Sequence, residues 1–157
     1  MNPHAYQSAQ SPTQRPTQTH LMIVHKQYIA PILSGHKLVE ARLGVDRRAP
    51  FNKVEPGDIV YIKPTSHAVA AKAIVHRVDQ YEGLDHEDID RLKDLYNDRV
   101  LGDDSFWDAK ADAKFATFIT LGKAQLLKDE RFVPKELLVP SRNAWRVLNQ
   151  QSQTRAA

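Results

Sequence analysis

Few of the connections between apolar runs in this chain are long enough to hold a helix, and that shortage constrains the fold more than any other feature. Residues 21–24, "LMIV", are four consecutive apolar residues, the pattern of a short strand buried on both faces. "KLVEARL", "DIVYIK", "AVAAKAIVHRVDQY", "KFATFITLGKAQLL" and "AWRVL" follow with strand composition. In "DIVYIK", Ile59, Tyr61 and Lys63 fall on one face and Val60 and Ile62 on the other, and "PTSH" after it predicts a hairpin into the next strand. Two segments read as helix. "YIAPILSG" sets Tyr28, Ile29, Ile32 and Leu33 at helical spacing, with Pro31 in the first turn and Gly35 as a left-handed terminator. "DHEDIDRLKDLYND" places Ile89, Leu92, Leu95 and Tyr96 on one stripe behind Asp85 as N-cap. Many strands, few helices and edges that must be hidden predict an α+β chain: a small, partly closed β-barrel of about five to six strands with short helices at its rim.

Residues 1–20, "MNPHAYQSAQSPTQRPTQTH", and 149–157, "NQQSQTRAA", hold too little apolar surface to offset the entropy of ordering, so both are expected to be disordered tails around one domain at 21–148. There is no cysteine, which excludes disulfides, a thiolate metal site and a cysteine nucleophile, and makes a reducing cytoplasm the expected home. No signal-type or membrane-spanning apolar run is present. With no H-E-x-x-H or comparable spacing, neither a metal nor another cofactor is expected. Net charge is +3, but the signs are segregated: between Glu82 and Asp112 eleven acids meet four bases, a local balance of −7 that leaves +10 elsewhere. A basic body beside a solvated acidic helix suits a polyanion partner; basic residues scattered over every face would give the same totals.

The stretch "SGHKLVEARL", residues 34–43, carries the chemistry. Lys37 offers a compact positive charge for a phosphate or carbonyl oxygen, Arg42 a planar fork for phosphate or carboxylate, and Glu40 a group that orients either or accepts a proton. Strand alternation would turn Lys37 away from Glu40 and Arg42, so a shared pocket requires a bulge or a non-strand start after Gly35. Alternatively, Glu40 and Arg42 pair with each other to satisfy a barrel end.

"GHKLVEAR" fits the pattern G-x-K-x-x-E-x-R, and in this it resembles the ASCH domains, a PUA-like β-barrel family linked with RNA. The resemblance continues through "VEPGDIVYI", "AKAIVHRVDQY", "FWDAKADAKFATFITLGKAQLL" and "AWRVL", nearly the whole expected fold. It implies a cleft near the motif that receives a nucleotide or an RNA segment. Some ASCH-type proteins are similar to small amidohydrolases that deacetylate a modified cytidine with a lysine, a threonine and a glutamate. Here the threonine position is Glu40, and a carboxylate does not replace a hydroxyl nucleophile. The remaining acid of that subgroup would fall near Glu82 or in the helix after it. Ribonuclease activity is a further implication, with Lys37 and Glu40 giving electrostatic and general-base help.

Tyr28, Tyr61, Phe106 and Trp107 are candidate stacking platforms for a base, with core packing favoured for Tyr61 and for Trp145. His25, His36, His67 and His76 are the histidines expected within the barrel. "RLGVDRRAPFNK" sets Arg42, Arg47, Arg48 and Lys53 in a connection expected to form a mobile basic lip beside the motif. The leading expectation is RNA or nucleotide binding, with Lys37, Arg42, Arg47 and Arg48 meeting phosphate and Tyr28 or Trp107 stacking on a base. The runner-up is a hydrolase of RNA or of a modified nucleoside with Lys37 and Glu40 as the catalytic pair; a third class is a protein-interaction domain. Cleft geometry separates them: a deep closed pocket holding Lys37 and Glu40 fits a nucleoside enzyme, an open basic groove fits RNA.

Overall fold

The computed structural model describes residues 15–148 and the backbone of residues 6–9. The strands are β1 (Tyr6–Ala9), β2 (Thr19–Val24), β3 (Val39–Gly44), β4 (Ile59–Pro64), β5 (Ala71–Glu82), β6 (Phe115–Leu121), β7 (Gln125–Leu126) and β8 (Trp145–Val147). Six of them form one hydrogen-bonded path, β3-β6-β5-β4-β2-β8, with β1 and the two-residue β7 appended to β5. The six-stranded path is the curled, partly closed sheet expected of an α+β, PUA-like barrel. β2 and β4 are parallel and the other pairs antiparallel.

β5 makes the curl. Its first residues, 71–74, pair with β4, and from Val75 onward it pairs with β6, with a register shift between Val75 and Arg77. An irregularity of this kind bends the strand and sharpens its twist, so one strand serves both halves of the barrel.

The sheet is covered on both sides. Val24, Ile32, Val60, Ile62, Ile119 and Trp145 pack inside the curl. On the outside of β3, β5 and β6, Val39, Ala41, Tyr81 and Phe118 meet the helix α2 (His86–Val100) through Ile89, Leu92, Tyr96 and Val100. On the outside of β2 and β4, Leu21 and Tyr61 are covered by Val133 and Leu137 from two 3-10 turns. β4 thus follows its alternation, Val60 and Ile62 inward, Ile59 and Tyr61 outward.

α2 starts as its sequence predicts: Asp85 accepts from the Asp88 amide, and the Asp88 side chain accepts from the Asp85 amide, a reciprocal capping box. Leu95, expected on its buried stripe, is 55% exposed, because the buried line runs 89, 92, 96, 100 and position 95 lies a step of about 100° around from 96. α1 (Ile29–Ser34) ends on Gly35 at φ 84°, the conformation that favours glycine. α3 (Asp104–Ala109) was not foreseen; six residues are too few to display a helical period, and its start signal is Asp103, which accepts from the Phe106 amide.

The N-terminal boundary also differs from the expectation at residues 1–20. β1 pairs with the Asp79–Glu82 end of β5, β2 begins at Thr19, and Arg15 donates to Asp58 through Nη1 and Nη2, at 3.1 and 2.8 Å. Polar composition does not prevent main-chain pairing with an open sheet edge, nor a buried carboxylate from drawing in a cation. The expectation for residues 149–157 lies outside the described residues.

Candidate nucleic-acid interface

The motif is built at the joint between α1, β3 and the end of α2. After the Gly35 turn, the Lys37 amide donates to the Pro31 carbonyl (3.0 Å) and the Leu38 amide to the Arg99 carbonyl (3.1 Å). β3 begins only at Val39, so Lys37 precedes the strand and escapes its alternation. Its side chain turns inward: the ammonium donates to the Val39 carbonyl (3.2 Å) and to the Val100 carbonyl, lies 3.5 Å from Glu40 Oε1, and sits 4.8 Å from the centre of the Tyr28 ring. Lys37 is 4% exposed, and burial pushes its pKa below the ordinary lysine value against the pull of Glu40. It supplies a donor to the last carbonyl of α2, where a cation also complements the helix dipole.

Glu40 and Arg42 lie on one face of β3, and Arg42 Nη2 donates to Glu40 Oε2 at 3.1 Å. The same Nη2 donates to the Ile23 carbonyl of β2 at 2.8 Å, Nη1 reaches the Ala144 carbonyl at 3.5 Å, and the guanidinium lies 5.5 Å from the Trp145 ring centre. β3 and β8 are the two ends of the strand path. Arg42 therefore crosses the open seam of the barrel.

A cleft of about 1210 Å³ occupies that seam. Small-molecule sites typically measure roughly 300–1,000 Å³, so this one is large enough for more than a single nucleoside. Glu40, Arg42 and Thr117 are among its lining residues, with Tyr28, Phe51, Phe106, Phe115 and Trp145 as its aromatics and Arg48, Lys110 and Arg142 as further cations. Lys37 is not among them; it lies behind Glu40. Among the described residues, no group of three or more His, Cys, Asp or Glu converges as metal ligands would, and no helix is long and apolar enough to cross a membrane.

Of the expected site residues, the structure brings Tyr28, Glu40, Arg42 and Arg48 to the cleft. Trp107 is not a stacking platform. It is 3% exposed, packs with the α2 core, and donates its indole N–H to Asn97 Oδ1 at 2.9 Å. Its neighbour Phe106 lines the cleft instead, since adjacent helical residues point about 100° apart. Arg47 lies outside the lining: it is paired with Glu82 at 2.6 Å and covers the rings of Phe51 and Phe115. Arg48 reaches the cleft with its charge already met by Asp46 at 2.8 Å. Exposed ion pairs thus engage Arg47 and Arg48 of the expected basic lip, and Glu82, the region suggested for a further acid, faces Arg47.

Sequence reasoning missed Lys110, Arg142, Phe51, Phe115 and Thr117. Lys110 is hidden among acids, and Arg142 sits in a stretch without period. Thr117 is the cross-strand partner of Arg42, a relation readable only from the β3–β6 register.

A second buried cluster holds Trp145 in place. Its indole N–H donates to His20 Nδ1 at 3.1 Å, which leaves the His20 proton on Nε2, 2.8 Å from Asp58 Oδ2. Asp58 also accepts from Arg15 and from the amides of Gln18 and Glu55, both at 3.0 Å. Burial pushes the Asp58 carboxyl up, but these donors outweigh it and hold its pKa at about 2. His20 is fully buried, whereas the expected histidines began at His25 because residue 20 fell in the presumed tail.

Neither a known protein family nor a curated protein sequence matches the chain. Solved structures do. The crystal structure of ASCH from Zymomonas mobilis, ZmASCH, is similar with a TM-score of 0.62 at 16% identity, covering 88% of this chain and 92% of that one. Two single-substitution mutants of the same protein, a serine-to-alanine and a tyrosine-to-phenylalanine change, give TM-scores of 0.62 and 0.60 at 14% and 15% identity, over 88% of this chain and 93% and 95% of theirs. At that level of identity the shared property is the architecture, and the architecture of this chain is the ASCH fold.

Proposed function

We propose that this chain binds RNA or a nucleotide in the cleft at the barrel seam, bases against its aromatic rings and phosphates toward its cations. The observation that carries this reading is the meeting, in one cavity, of Tyr28, Phe51, Phe106, Phe115 and Trp145 with Lys110 and Arg142, beside the ion-paired Arg42 and Arg48. Aromatic faces hold unpaired bases at about 1–3 kcal/mol each, and cations neutralise the backbone between them. The ASCH fold and the basic balance outside the acidic helix support the same reading, as does the size of the cleft. Tyr28 and Phe106, both partly exposed in the cleft, are the stacking surfaces it names, and Arg42 is a fixed cation beside them. Cytoplasmic RNA is the corresponding partner.

Glu40 favours a second reading. It is a carboxylate only 8% exposed that nevertheless faces the cleft, oriented by Lys37 and Arg42, and a fixed carboxylate can serve as a general base toward a bound hydroxyl or water. In this reading Lys37 positions Glu40 from behind. The catalytic step would be hydrolysis of RNA or of a modified nucleoside.

Fluorescence anisotropy with labelled single-stranded RNA at stepped salt concentrations tests the first reading, and product analysis of the same mixtures, with modified nucleosides included, tests the second. Log affinity is expected to fall linearly with log salt by about 0.7 per phosphate neutralised. Absence of binding at low salt overturns the RNA reading, and turnover lost in Glu40→Gln with binding retained establishes the hydrolase.

A further inference from the structure

The cations around the cleft are not equivalent. Arg48 is paired with Asp46, and Arg42 is engaged by Glu40 and the Ile23 carbonyl. The three carboxylates that line the cleft are likewise committed: Glu40 to Lys37 and Arg42, Asp46 to Arg48, and Asp103 to the Phe106 amide and the Ser105 hydroxyl at the start of α3. Lys110, at the C-terminal end of α3, has no carboxylate partner among the described residues. Its ammonium lies 5.7 Å from the centre of the Phe106 ring, itself part of the lining. Arg142, in the segment leading into β8, lines the same cleft and also lacks an acidic partner among the described residues.

Lys110 and Arg142 therefore share one cleft, neither with a counter-ion among the described residues. Partial burial and the charge of Arg42 both push its pKa below the usual lysine range, the physical signature of a cation whose surroundings would favour an added anion. No protein group supplies that anion. A compact ammonium on a flexible stem suits a phosphate as a point charge, whereas the Arg42 fork, already satisfied on two sides, does not have its planar edge free.

We propose that Lys110, with Arg142 of the same cleft lining, binds the phosphate of this site, so that the ligand is a phosphorylated nucleotide unit and not a free nucleoside. This rests on the reading of the cleft as a nucleotide site and specifies it: the base lies toward Phe106, and the phosphate is held by residues outside the G-x-K-x-x-E-x-R motif.

The test is titration calorimetry of the full chain with the four common ribonucleosides and, separately, their 5′-monophosphates, on wild type, Lys110→Met, Lys110→Arg and the charge-matched control Lys135→Met, which changes an exposed lysine in a 3-10 turn. Melting curves establish that each variant is folded. Wild type is expected to bind at least one monophosphate about tenfold or more tightly than its nucleoside, Lys110→Met to lose that preference, and Lys110→Arg and Lys135→Met to keep it. If wild type shows the preference and Lys110→Met retains it, the assignment to Lys110 is wrong while the nucleotide site stands. If wild type binds nucleoside and monophosphate equally, the phosphate site is overturned. If it binds neither, nor single-stranded RNA at low salt, the nucleotide reading falls with it.

Discussion

The Lys37 ammonium donates to the carbonyl of Val100, the last residue of α2, so the lysine of the motif joins the first helix–strand turn to the acidic helix. Replacing it with methionine keeps the stem and removes the donor from the Val39 and Val100 carbonyls and the cation from Glu40. Buried acceptors left without partners cost about 1–3 kcal/mol, so Lys37→Met is expected to lose stability on that scale in urea titration. Unchanged stability with abolished ligand binding would return Lys37 to the site itself.

Asp58 sets the acid limit of the domain. Its pKa of about 2 lies below the ordinary value of 3.8, so its contribution is fully present above about pH 4 and disappears as pH falls toward 2. A difference of nearly two pH units corresponds to about 2–3 kcal/mol. Chemical denaturation at stepped pH should show stability falling across this window in the wild type, with that component absent from Asp58→Asn. An identical slope in both would remove Asp58 from the account.

Phe106 and Trp107, neighbours on α3, are expected to separate cleanly. Trp107→Ala empties a buried site and breaks the bond to Asn97, with an expected loss of about 3–5 kcal/mol. Phe106→Ala opens the cleft wall and is expected to weaken RNA binding by a larger factor than it lowers the melting temperature. Anisotropy and thermal melting on both proteins check the pair; equal effects on affinity would mean that neither ring stacks on a ligand.

Arg47 and Arg48, replaced together by alanine, are expected to leave the salt dependence of RNA binding almost unchanged, because both are paired with carboxylates, Glu82 and Asp46, and Arg47 lies outside the cleft lining. A slope reduced by one or two phosphates in the salt titration would show that the ion pairs exchange for phosphate on binding.

The barrel was legible because its signals are local. The alternation of Val60 and Ile62, the Gly35 terminator and the Asp85 cap each occupy a few neighbouring residues, and each appears in place. The motif showed where the site would be without showing which of its residues face it. Lys37 is drawn inward by Val100, 63 positions away, and Arg42 outward by Ile23 and Ala144, 19 and 102 positions away. Such partners follow from topology, not from spacing. Lys110 was masked for a related reason: a charge count along the chain assigns it to an acidic stretch, while the fold sets it beside Arg42.

Arg42 gives the seam its final consequence. The backbone ladder does not close between β3 and β8; the Arg42 guanidinium spans the gap, touching the Ile23 carbonyl on one bank and Glu40 on the other. The two ends of the sheet are thus joined there by a side chain, whose contacts can be exchanged one at a time, and not by a strand pair that must part as a unit.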